Sequence, residues 1–265
     1  MKIIKFIFRI YNILINKSYS TLSGAIAFFL VVNGGSLLYL FLVISNFLHI
    51  NITPNFLIDT TIIEEVSKKQ TGSFIYSLIF IITSIYGSSS LFFHILKAGE
   101  LIYQRPHQRI SLFRRVTSLV FMLAFMGIIE TFLIVVFLGD SLFHNPLWRY
   151  FRYFLFMIIP FLLSLCLHFF AIPEEVKFID LRKGAILTTL LWYLTSLAFI
   201  LFLNIFTNYK AFYGSLSFFV IFMIWLYLLA QGFIVGIIYN YYYHEKKINL
   251  LSISQTIDGT PKEDI

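Results

Sequence analysis

The chain has 265 residues, 59% of them hydrophobic and 12% charged, with a formal net charge of +7. Soluble domains average roughly 45–50% apolar and 25% charged, so this composition excludes an ordinary water-soluble domain and points to the membrane. A lone cysteine, Cys166, excludes a disulfide framework.

Residues 1–21 mix Lys2, Lys5, Arg9 and Lys17 with Ile and Phe, the pattern of an amphipathic segment at a membrane surface. Six long apolar stretches follow, at 22–48, 73–93, 116–139, 153–172, 184–207 and 211–243, and Glu130 is their only Asp, Glu, Lys or Arg. A helix needs about 20 residues to cross a hydrocarbon core, so each stretch is long enough. The expected fold class is all-α: a polytopic membrane bundle of six transmembrane helices over 22–243. Of the 20 Lys and Arg, 15 fall on the termini and the two even-numbered connections, and 5 on the other face. Positive residues are retained in the cytoplasm, so both termini are expected there. That topology accounts for the positive charge through anionic lipid at the cytoplasmic surface, and no nucleic-acid partner is implied.

The first stretch carries Asn33-Gly34-Gly35-Ser36 at mid-depth. Two readings stand side by side: a broken helix lining a site, or close helix packing on small residues. The connection 49–72 reads as a short surface helix capped by Thr53, with Pro54 in its first turn. In the second stretch Ser73, Ser77, Ser84 and Ser88 recur on one helical face, flanked by Gly87 and His94. Such a stripe fits a helix seam better than a polar path, and His94 reads as an interfacial histidine.

Glu130 lies well inside the third stretch. A central carboxylate costs on the order of 2.5–3.5 kcal/mol to insert, so it should face the bundle, either on an ion or substrate path or bonded to a neighbouring helix. Pro160 should kink the fourth stretch, and His168 sits near its cytoplasmic end. The fifth presents Thr189, Tyr193, Ser196 and Asn204 along one face, with Trp192 beside them. The sixth is overlong and contains Gly232-Phe-Ile-Val-Gly236, a close-packing signature, with Asn240 one turn further. Tyr239, Tyr241, Tyr242 and Tyr243 form an interfacial aromatic belt. The tail 244–265 is polar and expected to be disordered.

The six histidines are isolated and show no metal-ligand spacing, and the chain has neither a phosphate-binding loop nor a dinucleotide fingerprint. No cofactor, metal or catalytic residue is expected, and an enzyme is unsupported.

The run Ala171-Ile-Pro173-Glu-Glu-Val176-Lys-Phe178, then Gly184-Ala185, Trp192, Tyr213-Gly214-Ser215-Leu216 and Ile224-Trp225-Leu226-Tyr227, resembles the C-terminal half of the YihY/BrkB family. Ala25-Ile-Ala27-Phe28-Phe29 resembles that family's opening helix, and Gly87-Ser88-Ser89-Ser90 its small-residue helix. The chain departs from the family at Asn33-Gly34-Gly35-Ser36, in place of Ser-x-x-Pro. It departs again at Gly236-Ile237-Ile238-Tyr239-Asn240, in place of Gly-Ala-Glu-x-Asn. The resemblance implies a protein of the bacterial cytoplasmic (inner) membrane, from a family associated with serum resistance and lipid-related envelope phenotypes. A ribonuclease label has also been attached to the family. Hydrolysis would want a clustered acid or metal constellation that this sequence does not show, so ribonuclease is the least supported reading.

Two functions from different classes follow. The leading expectation is a transporter-like or lipid-handling protein, without ATP hydrolysis of its own, whose intramembrane path is lined by Asn33, Ser84, Ser88 and Glu130. The alternative is a non-transporting scaffold for envelope assembly. Membrane lipids are the expected partners, with a second copy of the chain or envelope-assembly proteins left open. Gly87, Gly232 and Gly236 are the expected helix-packing positions.

Overall fold

In a computed structural model, the described residues are 19–47, 74–104, 146–172, 178–205 and 210–258, together with helical positions at 116–117, 120–121, 124–125, 127–129, 131–132 and 135–136. Side chains at 34–47, 74–81, 210–218 and 244–258, and those of Ser84 and Ser88, are among those outside the described set. The N-terminal segment to residue 18, the surface helix expected at 49–72, and Glu130 also lie outside it.

Every element among the described residues is helical: α1 (Tyr19–Phe47), α2 (Phe74–Tyr103), α3 (Pro146–Ala171), α4 (Phe178–Ile205) and α5 (Lys210–Asp258), with the helical positions of 116–136 between α2 and α3. Three stretches are long and apolar enough to cross a membrane: Tyr150–Ala171, Ile179–Asn204 and Phe219–Tyr243. A shorter apolar helical stretch covers Tyr19–Asn33.

Helix ends depart from the apolar boundaries for physical reasons. α1 runs unbroken through Asn33-Gly34-Gly35-Ser36, so the broken-helix reading is not what forms; in apolar surroundings a continuous helix bonds each main-chain group internally. α2 continues ten residues past 93 and brings Lys97 and Glu100 into the helix. The apolar spacing persists there, with Leu91, Ile95, Ala98 and Ile102 all buried. Gln104, at φ 55°, then turns the chain in the left-handed conformation that ends many helices. α3 begins at Pro146, a residue suited to a helix's first turn. α5 is helical to Asp258, although disorder was expected from 244. No Gly or Pro interrupts residues 237–258, and Gly259 and Pro261 follow directly. Its 49 residues amount to about 73 Å of helix against a core of about 30 Å.

The chain divides into two compact units, each described by itself. One comprises residues 25–94 and 109–159; the other comprises 1–24, 95–108 and 160–265. Within α3 the division falls at Pro160. In the first unit Gly87 of α2 faces α1, where an added Cβ would lie 2.8 Å from Val32 Cγ1 and 3.2 Å from Asn33 Oδ1. Rings pair edge to face at Phe92–Phe125 and Phe132–Phe156.

The second unit is built on the antiparallel pair α4 and α5. Its seam carries one polar or small-residue contact per turn. Trp225 Nε1 donates to Ser196 Oγ at 3.4 Å, and Trp192 Nε1 to Leu229 O at 2.9 Å. Gly232 packs on Leu191, Gly236 on Thr188 and Gly184, and Asn240 on Gly184 and Leu181. Small residues let the two backbones approach, and without that approach these bonds could not form. α3 joins through Ser164, whose Oγ donates to Ala185 O at 3.2 Å. α2 meets α3 at Gly99, where an added Cβ would run into the Ala171 carbonyl.

Candidate functional site

Two features of chemical interest emerge, one in each unit. In the second unit His168, Thr188, Ser164 and Asn240 are all buried, and the first three are wholly so. His168 Nδ1 lies 2.8 Å from Ser164 O. A carbonyl only accepts, so Nδ1 carries the proton and, in the neutral ring, Nε2 is the acceptor. It faces Thr188 Oγ1 at 3.4 Å, and the same hydroxyl lies 3.5 Å from Gly232 O. Phe233 meets the imidazole edge to face, with centroids 5.1 Å apart. A Cβ on Gly236 would sit 2.8 Å from His168 Nε2 and overlap Thr188 Oγ1. Three helices thus meet at one histidine in a buried polar cluster that offers bonds between helices. Buried polar groups left unpaired are costly, so the cluster holds α3, α4 and α5 in one register.

The first unit contains the second feature, an open groove of about 500 Å³ lined by Ala124, Gly127, Ile128, Thr131, Phe132 and Val135 with Leu155 and Ile159 of α3. Its one hydroxyl, Thr131 Oγ1, donates to Gly127 O at 2.6 Å, which leaves an apolar surface facing the groove. Nothing lies within 4 Å of where a Cβ on Gly127 would be, so this glycine keeps the groove open.

Of the expected path residues, Asn33 is buried and its Nδ2 donates to Phe29 O one turn back at 2.7 Å. Its Oδ1 is turned toward Gly87, a position expected on packing grounds. Ser84 and Ser88 belong to α2 by main chain, but their side chains, like the whole of Glu130, lie outside the described residues. The structure therefore brings Asn33 to Gly87, and Gly232 and Gly236 to the α4 seam. His94 is half-buried, its Nδ1 donating to Ser90 O at 2.7 Å and its ring lying 5.1 Å from that of Phe29.

Sequence reasoning gave three residues no part in a site. His168 and Thr188 looked unremarkable because the cluster joins positions twenty residues apart, although each stands four residues after its small partner, Ser164 or Gly184. Glu100 is buried beside Lys97, whose Nζ donates to its Oε2 at 3.3 Å. No sequence pattern singles it out, because it lies beyond the apolar stretch 73–93. Among the described residues no group of three or more His, Cys, Asp or Glu could hold a metal ion.

With every described element helical and three helices of membrane-crossing length and apolarity among them, this is an integral membrane protein. It belongs to the virulence factor BrkB family, whose pattern it matches over residues 42–256. It is similar to the UPF0761 membrane proteins of Coxiella burnetii strains Dugway 5J108-111 and RSA 493, at 29% identity over 188 residues. That match covers 66% of this chain and 64% of those proteins, so the chain spans just under two thirds of their length. A further similarity, 27% over 111 residues, is to YfkH of Bacillus subtilis strain 168, a protein whose name calls it ribonuclease-like. It covers 42% of this chain and 40% of YfkH. No solved structure matches.

Proposed function

We propose that this is a multi-pass protein of the bacterial cytoplasmic membrane that handles a lipid or lipid-like envelope molecule without hydrolysing ATP itself. In this reading it crosses the membrane six times, with both termini in the cytoplasm, and is not an enzyme. The observation that carries the proposal is the apolar groove beside Gly127. Its lining suits an acyl chain and offers nothing to a hydrated ion or sugar. Glu130, three residues after Gly127 and directly before Thr131 in sequence, supplies the ionisable group that a proton-coupled movement would need.

The test is complementation of a deletion strain, read out as envelope lipid composition. The parent chain should restore it. Gly127→Phe, which fills the groove, should not, although it reaches the membrane at parental level. Glu130→Gln should likewise fail if the carboxyl proton takes part, and Glu130→Leu should mainly lower folding yield if the residue only bonds a neighbouring helix. Full rescue by Gly127→Phe, or a deletion strain with unchanged lipids, would overturn lipid handling.

The second reading, a scaffold for envelope assembly, draws on the buried His168 cluster and the glycine seam, which suit a rigid body. It predicts unchanged lipids together with the loss of a specific membrane complex from the deletion strain.

A further inference from the structure

The geometry points to a binding site for one anionic phospholipid on α4, with its phosphate at Lys183 and Arg182 and an acyl chain along the helix face below. It lies in the second unit, is separate from the Gly127 groove, and does not depend on the lipid-handling reading.

Three observations converge. First, Lys183 and Tyr243 stand at one membrane boundary. Lys183 lies in the first turns of the apolar stretch Ile179–Asn204, and Tyr243 closes the stretch Phe219–Tyr243. Secondly, the Lys183 ammonium is held in place. Its Nζ sits 3.4 Å from the centroid of the Tyr243 ring, an arrangement that fixes the cation while leaving its other N–H donors outward. Arg182 is exposed beside it, with Nε donating to Ile179 O at 3.3 Å, so the guanidinium is positioned by its own helix. Among the described residues no carboxylate lies within ion-pair distance of either cation. A phosphate would find two oriented cations at this boundary.

Thirdly, an apolar lane runs away from Lys183. Ile186, Leu190, Leu194 and Leu197 follow it at +3, +7, +11 and +14. At about 100° per residue all four fall within about 60° of Lys183. Each is more than half exposed, between 54% and 56%. From Ile186 to Leu197 the lane covers about 16 Å of helix, the depth of one leaflet of a core about 30 Å thick. The residues that pack on α5, Gly184, Thr188 and Trp192, take the opposite side of α4. Cation at the boundary and aliphatic lane beneath it complement a single lipid whose head group carries net negative charge.

The experiment is native mass spectrometry of the full chain in detergent. It is titrated with phosphatidylglycerol and, separately, with phosphatidylcholine of the same acyl chains, whose phosphate is offset by its own ammonium. The parent should retain one phosphatidylglycerol in preference to phosphatidylcholine. Lys183→Gln should weaken that binding about fivefold, the effect of one interfacial cation on an anionic surface. Tyr243→Leu, which keeps the charge but removes the ring that positions it, should weaken it in the same direction. Lys262→Gln removes the same charge from the tail and should change nothing, which separates a site from bulk attraction. Equal retention by Lys183→Gln and the parent would overturn the proposal, and so would an equal loss in Lys262→Gln. Displacement of the bound lipid by inorganic phosphate alone would overturn it too, since the site would then belong to a free anion. Circular dichroism of each variant, unchanged from the parent, ensures that a loss of binding is read on folded protein.

Discussion

Asn240 of α5 and Gly184 of α4 are locked together by the asparagine amide, whose Oδ1 accepts the Gly184 N–H at 2.7 Å while its Nδ2 donates to Leu181 O at 3.2 Å. A side chain on Gly184 would occupy the volume that the amide fills. The pair therefore sets the register of the whole seam, because a slip of one residue would leave both groups of the amide unpaired. Removing one partner of a buried hydrogen bond costs roughly 1–3 kcal/mol. Asn240→Leu, similar in volume, should lower the thermal unfolding temperature in detergent clearly. Unfolding at the parental temperature would mean that the amide contributes no net stability.

Gly236 should tolerate nothing larger than hydrogen. A methyl group there would overlap Thr188 Oγ1 and sit 2.8 Å from both Gly184 O and His168 Nε2. Gly236→Ala should destabilise the protein, and adding Thr188→Ala should recover part of the loss, because one of the three obstructing groups is then gone. Strict additivity of the two substitutions would show that they do not touch. Gly127→Ala, with open space around its Cβ, is the contrasting case and should unfold with the parent.

Gly99 meets main chain and not a side chain, so no second substitution can relieve a methyl group placed against the Ala171 carbonyl. Gly99→Ala should reduce folded yield. Gly24→Ala, also within a helix but with nothing within 4 Å of its Cβ, should be neutral or stabilising by up to about 1 kcal/mol, from helix propensity. The two variants measured side by side separate crowding from propensity. A stabilised Gly99→Ala would show that α2 and α3 are not in contact there.

The proposed topology is tested by labelling single cysteines in a Cys166→Ser background with an impermeant reagent added to intact cells. Probes at Ser67 and Asn145 should react, and those at Gln108 and Ser254 should not. The expectation rests on the division of Lys and Arg, 15 against 5, between alternate faces. Labelling at Gln108 would reverse the orientation.

By itself the sequence determined that this is a helical membrane protein of the BrkB family, and roughly where its apolar helices lie. Those properties depend on composition and on local runs such as Ile224-Trp225-Leu226-Tyr227, which are visible without knowing what packs on what. It also marked Gly87, Gly232 and Gly236 by their size, and each stands where another helix comes close. The ends of α2 and α5 were harder to read, because apolarity stops at the membrane surface while helical hydrogen bonding continues past it. Only tertiary structure decided that His168 joins Thr188 and Gly236, that Asn240 bonds to Gly184, and that Lys183 rests on Tyr243. These partners lie 20 to 68 residues apart in the chain. A lone polar residue in an apolar stretch looks alike whether it faces lipid or a partner helix, and which it faces is set by helix rotation and crossing, which local patterns do not encode.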